Sequence, residues 1–227
     1  MPLRIYRPIK TDLFTQGFYD NKPCAKTDSD GKPIRPYKII SPNDQNICPI
    51  GSTKFYPLMG MKGHGGEDWL ASHGEEVYFP VVTQETGWYT QDASDSDGGI
   101  GVDVISKNPI SIFGIQSYVK FRFWHLLRTV KGVDVLEGYL IGYADNTGAS
   151  GGNHLHWGMK LCDKDGNALN NDNGFYGGVD FHPFFTNQFI LDVLGVDAKK
   201  KSIQQQIIQI FSQIVALLQQ KLDLLRK

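Results

Sequence analysis

The stretch YVKFRFWH, residues Tyr118–His125, decides the fold. Residues 119, 121 and 123 are apolar, and Lys120 and Arg122 between them are basic. Side chains of a β-strand alternate between the two faces of a sheet, so this pattern predicts one face in a core and one polar face. We predict a strand here that ends at His125.

Shorter apolar or alternating segments occur on both sides of this stretch, separated by turns rich in glycine. The predicted strands cover residues 11–19, 76–82, 87–90, 100–105, 138–143 and 154–161, and residues 163–167 form a hairpin turn. No helical period appears between residues 55 and 161. This spacing predicts a mainly β domain built on an antiparallel sheet or sandwich.

Composition excludes several classes of protein. The 227 residues contain 41% hydrophobic and 21% charged residues with a formal net charge of -1, so no basic field points to nucleic acid. The N-terminus lacks the apolar segment of a secretory signal peptide, and no run of 18 apolar residues predicts a membrane span.

Two regions depart from the β pattern. Residues 20–54 are polar and rich in proline, and we interpret them as a long surface insertion within a domain that spans residues 1–195. Cys24 and Cys48 flank this insertion and either pair or remain free thiols, which the sequence leaves open. Residues 180–195 are aromatic and close the domain with a short helix or turn.

The second region, residues 198–227, is a predicted C-terminal amphipathic helix with Ser202 as its N-cap. Its apolar face is roughly 200° wide, broader than a two-stranded coiled coil needs. Such a face predicts oligomerisation of the chain or docking on the domain, and the sparse basic flanks disfavour membrane contact. The two seams of this face are Ile203, Ile207, Ile210, Ile214, Leu217 and Leu224, and beside them Ile208, Phe211, Val215, Leu218, Leu222 and Leu225.

Histidines and one aspartate mark the candidate site. His64 and Asp68 are four residues apart in a glycine-rich segment, where a strand presents both on one face more readily than a helix does. A turn histidine with a capping aspartate is the alternative. His154 and His156 are two apart on a predicted strand, so both could reach a metal, or one could bind it while the other faces a substrate.

These motifs, taken together, resemble the lysostaphin/LytM-type zinc metallopeptidases, which cut peptide bonds in bacterial peptidoglycan. The resemblance covers roughly residues 12–185 and implies the duplicated hybrid motif as the fold. The matching segments are Thr15–Phe18, Gly63–Trp69, Gly74–Val77, Phe123–Leu126, Gly138–Gly142, Asn146–Gly148 and Asn153–Trp157.

The resemblance implies that His64, Asp68 and His156 bind Zn²⁺, leaving a fourth position for water. It further implies that His154 is the general base and His125 stabilises the oxyanion, although these two roles could be exchanged. Glu67 departs from the family pattern and is expected to place a charge beside the metal. We expect His73 and His182 to be structural.

The implied activity is endopeptidase cleavage of cell-wall stem or cross-link peptides. Whether a Gly-Gly bridge or a D-Ala cross-link is cut stays open. Without a signal peptide, a phage lysin released by lysis or carried on a virion is the expected source, unless a leader has been removed. The alternatives are a non-catalytic module that binds the cell wall or activates a hydrolase, and a structural phage or secretion component.

Overall fold

The computed structural model describes residues 3–35, 37–40 and 47–225, so residues 41–46 of the predicted insertion lie outside the described part. The described chain is mainly β. Its strands are β1 (Arg4–Arg7), β2 (Phe14–Gln16), β3 (Cys24–Lys26), β4 (Ile39–Ile40), β5 (Ser52–Lys54), β6 (Glu67–Leu70), β7 (Glu76–Tyr78), β8 (Val81–Val82), β9 (Trp88–Asp92), β10 (Ile100–Ser106), β11 (Ile110–Ile112), β12 (Ile115–Thr129), β13 (Leu140–Ala144), β14 (His154–Cys162), β15 (Gly178–Val179) and β16 (Phe185–Phe189). Its helices are α1 (Phe55–Leu58), a 3₁₀ helix (His182–Phe184) and α2 (Ile190–Leu225).

A ten-stranded sheet carries the domain, with β2, β6, β14, β12, β10 and β9 adjacent in that order. All its pairings are antiparallel, which confirms the predicted antiparallel sheet. A second sheet joins β1 to β16 in parallel and to β8 antiparallel.

The alternation in β12 and β14 separates the core from the opposite face of the sheet. The buried side chains of one face are Val119, Phe121, Phe123, Leu155, Trp157 and Met159. The residues between them on the two strands line a long groove. Burial of large apolar side chains at about 25 cal/mol per Å² drives this arrangement, and the groove face keeps the polar residues.

The strand predicted at residues 76–82 is divided in the structure. Pro80 separates β7, in the large sheet, from β8, in the second sheet. A proline has no N–H to donate to a ladder, so it suits the point where the chain changes sheets. Only the Pro80 carbonyl takes part, accepting from the Tyr6 N–H at 2.9 Å.

The strand predicted to end at His125 instead continues to Thr129 through a β-bulge. Ile100 is paired with Leu126 but Val102 with Phe123, so β12 holds one extra residue here. His125 has φ 59°, the left-handed conformation that such a bulge requires. The extra residue puts Trp124 and His125 on the groove side, while Phe123 and Leu126 are buried in the core.

The polar insertion is not a plain surface loop. Strands β3, β4 and β5 within it form a small antiparallel sheet of their own. Cys24 and Cys48 are joined by a disulfide, so of the two alternatives that the sequence left open the pairing is the one observed. Cys162 is a free, buried thiol.

The C-terminal region is a long helix that begins earlier than predicted. Gly195, with φ 73° and ψ 175°, interrupts α2, and Ser202 lies inside the helix, so the predicted N-cap is wrong. Side chains described between residues 204 and 221 are all exposed. Those of Ile203, Leu222, Leu224 and Leu225 lie outside the described part, so the amphipathic face stays a prediction. Among the described residues, no helix combines the length and apolarity needed to cross a lipid bilayer.

Glycine at position 66 permits the close approach of β6 and β14, and this generates a prediction. A Cβ on Gly66 would lie 2.4 Å from the Trp157 carbonyl oxygen, a backbone atom that cannot rotate away. We expect Gly66→Ala to lower the free energy of unfolding by about 1–3 kcal/mol, measured by urea denaturation. Gly152→Ala is the matched control because a Cβ there would meet no atom within 4 Å. Equal stability of the two variants would contradict the close-packing argument.

Candidate metal centre

The register between β6 and β14 brings the predicted ligands together. His156 is paired directly with Asp68, and His154 with Leu70. Side chains that are directly opposite in an antiparallel pair project from the same face with Cβ atoms about 4.5–5.5 Å apart. Asp68 and His156 therefore meet on the groove side of the sheet.

His64 reaches the same point from the loop before β6 rather than from a strand. Its N–H donates to the Asp20 carbonyl at 2.8 Å, and its carbonyl accepts from the Tyr19 N–H at 3.0 Å. The segment that follows β2 thus holds His64 in place through the backbone. The glycines around it allow this turn, whereas the predicted strand from His64 to Asp68 begins only at Glu67.

Three potential ligand atoms converge. The His64 Nε2 lies 2.7 Å from the His156 Nδ1 and 3.2 Å from the Asp68 Oδ1. The distance between the His156 Nδ1 and the Asp68 Oδ1 is 2.9 Å. Donor atoms around a tetrahedral zinc ion lie roughly 3.4 Å apart, so small side-chain shifts would suffice for these three to hold one. They form the one such His, Cys, Asp and Glu group found in the described part of the chain.

The hydrogen bonds and charges around these three ligand atoms favour the binding of a cation. The His64 Nδ1 donates to the Gly17 carbonyl at 3.2 Å, which leaves Nε2 with its lone pair toward the group. Burial raises the pKa of Asp68, but the opposing effect of His64, His154 and His156 is larger and holds this pKa well below its usual range. Burial is also the largest effect on His156 and lowers its pKa to about 4. An ionised carboxylate beside a neutral imidazole is the donor chemistry that Zn²⁺ requires.

His125 lies next to this group without joining it. Its ring centroid is 4.5 Å from that of His154 and 6.0 Å from that of His156. The His125 Nδ1 donates to the Thr147 carbonyl at 2.7 Å, so Nε2 carries no proton when the ring is neutral. Burial and the neighbouring histidines lower the pKa of His125 to about 3, which favours that neutral form.

His154 is held in the same manner but in a different electrostatic setting. Its Nδ1 donates to the Gly152 carbonyl at 2.8 Å and lies 3.1 Å from the Ser150 Oγ. Its Nε2 is 3.7 Å from the Asp68 Oδ1. The structure thus brings all five predicted site residues together, with His154 on the side of the carboxylate.

A groove of about 890 Å³ passes over the five residues. On one side it is lined by residues of the insertion and of the helix α1 that follows it, among them Ile39, Phe55 and Tyr56. It continues along the groove face of β10, β12 and β14, away from the metal group. The candidate metal ligands and two additional histidines therefore lie in one groove that is open to solvent.

Glu67 does not contribute a charge to the metal group as expected, because adjacent residues of a strand face opposite sides. It is fully buried, and its Oε2 accepts from the Trp69 Nε1 at 2.9 Å. Its Oε1 lies 2.9 Å from the His182 Nε2. Burial raises the pKa of Glu67. His73 pairs with Asp145 at 2.7 Å, outside the metal group.

Sequence reasoning missed Tyr56 and Ser150 as residues of the site. Tyr56 is buried, its ring centroid is 5.8 Å from that of His64, and its hydroxyl accepts from the Gln16 Nε2 at 2.8 Å. Burial and the nearby Asp68 raise its pKa. Both residues lie in segments without periodicity, so no pattern in the sequence pointed to them.

Comparison with known proteins gives structural matches only. No family model matches the chain, and no curated protein does. The catalytic domain of the antimicrobial peptidase lysostaphin from Staphylococcus simulans aligns at 22% identity and a TM-score of 0.38, over 54% of this chain and 79% of that domain. A zinc-containing peptidase from Vibrio cholerae aligns at 18% identity and a TM-score of 0.40, over 70% of this chain and 37% of that protein.

The catalytic domain of the prophage-encoded M23 protein EnpA from Enterococcus faecalis aligns at 23% identity and a TM-score of 0.34, over 49% of this chain and 78% of that domain. At such identities and TM-scores the likeness does not decide an activity. The chain is similar in structure to lysostaphin and to other M23 peptidase domains.

Proposed function

We propose that this chain is a zinc-dependent endopeptidase that hydrolyses peptide bonds in bacterial peptidoglycan. The observation that carries the proposal is the convergence of His64, Asp68 and His156 in one groove. His125 and His154 line the same groove. The metal is Zn²⁺ because two imidazoles and one carboxylate are a common donor set of catalytic zinc sites. Peptidoglycan as the substrate follows from the motif resemblance.

The ligands would be His64 through Nε2, His156 through Nδ1 and Asp68 through Oδ1. Zinc held there would supply a Lewis acid for the scissile carbonyl and lower the pKa of a water molecule toward neutrality. The chain itself shields His64 from bulk water, since this residue is only 3% exposed. Gly17 fixes the His64 tautomer through its carbonyl.

His125 and His154 would move protons. Both donate Nδ1–H to a backbone carbonyl, so each neutral ring offers Nε2 as an acceptor. An oxyanion needs an N–H donor at Nε2, which exists only in the imidazolium form. Burial disfavours that form for His125, whereas Asp68 lies near the His154 Nε2. The lowered pKa of His125 supports exchanging the two roles, with His125 as the base and His154 as the donor.

A non-catalytic binding or activating module is the rival function. It would need neither a bound metal nor proton-transfer groups, so stoichiometric zinc discriminates between the two. All five side chains are present and adjacent, which supports the enzyme. A phage lysin, released by lysis or carried on a virion, is our proposal for its context.

The proposed domain organisation is a metallopeptidase domain at residues 1–195 and a C-terminal helix at 198–227. Exposed apolar side chains support a role for this helix in association; they include Ile208, Phe211, Val215, Leu217 and Leu218. A second copy of the chain or a docking surface would cover them, because such a row is costly to leave in water. We favour a homo-oligomer over membrane contact, and the structural phage component remains the alternative role of this segment.

Substitution separates ligands from proton-transfer residues. We expect His64→Ala, Asp68→Ala and His156→Ala to lose both zinc and wall hydrolysis, because two ligands bind Zn²⁺ poorly. His125→Ala and His154→Ala should keep about one zinc per chain and lose roughly 10²–10⁴-fold in turnover. Metal analysis and mass spectrometry of released muropeptides measure the two effects. His73→Ala is the control and should change neither. A His154→Ala variant at full rate would refute the assignment.

Zinc should also stabilise the fold. Zinc at 100 times its dissociation constant should add about 2.7 kcal/mol of stability to the native state and raise the melting temperature. Asp68→Ala should show no such rise, because the carboxylate ligand is missing. Calorimetry with and without a chelator measures this directly. Chelator-insensitive stability together with chelator-insensitive hydrolysis would refute a catalytic zinc.

Removal of residues 198–227 tests the helix. If the helix associates, light scattering should give a molar mass of two or more chains for the full protein and of a single chain for the truncated one, at equal concentration. The zinc content of the truncated chain should be unchanged, since all five site residues precede residue 160. The same number of chains per particle before and after truncation would argue against self-association through the helix.

A further inference from the structure

Basic side chains lie on the floor of the groove, beyond the proposed metal centre. Lys120 and Lys160 are cross-strand partners on β12 and β14, and Arg122 follows two residues from Lys120 on the same face. All three line the groove. Like charges directly opposite in a sheet are destabilising, so this placement needs a compensating anion.

The protein supplies only part of that compensation. Asp103 on β10 accepts from the Lys120 Nζ at 2.9 Å and from the Arg122 Nε and Nη2 at 2.8 Å each. This single carboxylate, 3% exposed, therefore serves two cations. Among the described residues, no carboxylate oxygen lies within 4 Å of the Lys160 ammonium, although Lys160 is 9% exposed.

Lys160 retains hydrogen-bonding capacity. Its Nζ donates to the Tyr176 carbonyl at 2.7 Å, and an ammonium group has three N–H donors. Burial, together with Arg122 and Lys120, lowers the pKa of Lys160 to about 7. An anion in the groove would oppose these effects and use the remaining donors.

Apart from Asp68 and Asp103, the acidic residues that line the groove are more exposed than the two lysines on its floor. Asp92, Asp95 and Asp165 are exposed, and Asp95 already accepts from the Asp97 N–H at 2.9 Å. Exposed charges are screened by water and salt, whereas the charges of Lys120 and Lys160, which are at most 9% exposed, are screened much less. A substrate group that enters the floor therefore meets a positive environment.

We infer that Lys160, with Lys120 and Arg122 beside it, forms a subsite for a carboxylate of the peptide substrate. This inference rests on the proposed function. Lys160 is four residues from His156 on the same face of β14, about 13 Å along the strand. An extended peptide would place a free carboxylate there roughly two to four residues from the scissile bond. A peptide made of glycine alone offers no such side chain.

Conversion of wall carboxylates to carboxamides provides the test. Purified peptidoglycan is treated with carbodiimide and ammonia, and its hydrolysis is compared with that of untreated walls. We expect amidation to lower kcat/KM of the zinc-loaded protein by about 10- to 100-fold, the range for loss of a charge-assisted hydrogen bond. Lys160→Gln should be slowed on untreated walls by a similar factor and respond less than about twofold to amidation.

Lys164→Gln is the matched control, since Lys164 is exposed on the turn that follows β14. It should behave as the unchanged protein does on both walls. Lys160→Gln keeps an amide donor for Tyr176 and removes a buried like charge, so we expect it to fold, which its melting temperature checks. The subsite would be overturned if the unchanged protein hydrolysed amidated and untreated walls at the same rate. It would also be overturned if amidation lowered kcat/KM equally for Lys160→Gln and the unchanged protein. Either result would leave the proposed activity in place.

Co-sedimentation with the two kinds of wall gives a readout that needs no cleavage. Preferential binding to untreated walls that is lost in Lys160→Gln would support the subsite. If neither kind of wall is hydrolysed in that case, the proposed activity is refuted and the subsite is not. Absence of binding to either wall, with no hydrolysis, would overturn both proposals.

Discussion

The antiparallel register of β6 and β14 is the constraint on which the site depends. It pairs Asp68 with His156, and a shift by one residue would turn one of them toward the core. The core itself fixes this register, because Trp69, Leu155 and Trp157 are buried on the other face. Packing of apolar side chains in the core thus determines where Asp68 and His156 meet on the groove side of the sheet.

The same logic explains why much of this protein could be predicted from its sequence. The alternation in β12 and β14 identified both strands and assigned His154 and His156 to a common face. His64 and Asp68 carried little information alone, and they became convincing through the order of the other motifs. The five residues that the structure brings together were thus all named from the sequence, three of them through strand patterns and His64 and Asp68 only through the company of the other motifs.

What could not be predicted depends on contacts between distant segments. The bulge at His125 is visible only when β12 is paired with β10, and the small sheet of the insertion requires pairing across many residues without periodicity. The face occupied by Glu67 was misjudged because its position next to Asp68 in the sequence was taken as a position next to the metal, whereas adjacent residues of a strand face opposite sides. Tertiary packing determines where Tyr56 and Ser150 lie, and the hydrophobic pattern of the sequence does not indicate these positions.

The left-handed backbone at His125 has a consequence for how such a protein tolerates change. A residue with a side chain costs roughly 1–2 kcal/mol in this conformation, and glycine would avoid most of that cost. The backbone conformation taken by itself would therefore favour glycine at this position. Persistence of histidine at this position in related chains would be a mark of selection acting on chemistry, whereas drift toward glycine would accompany the loss of activity.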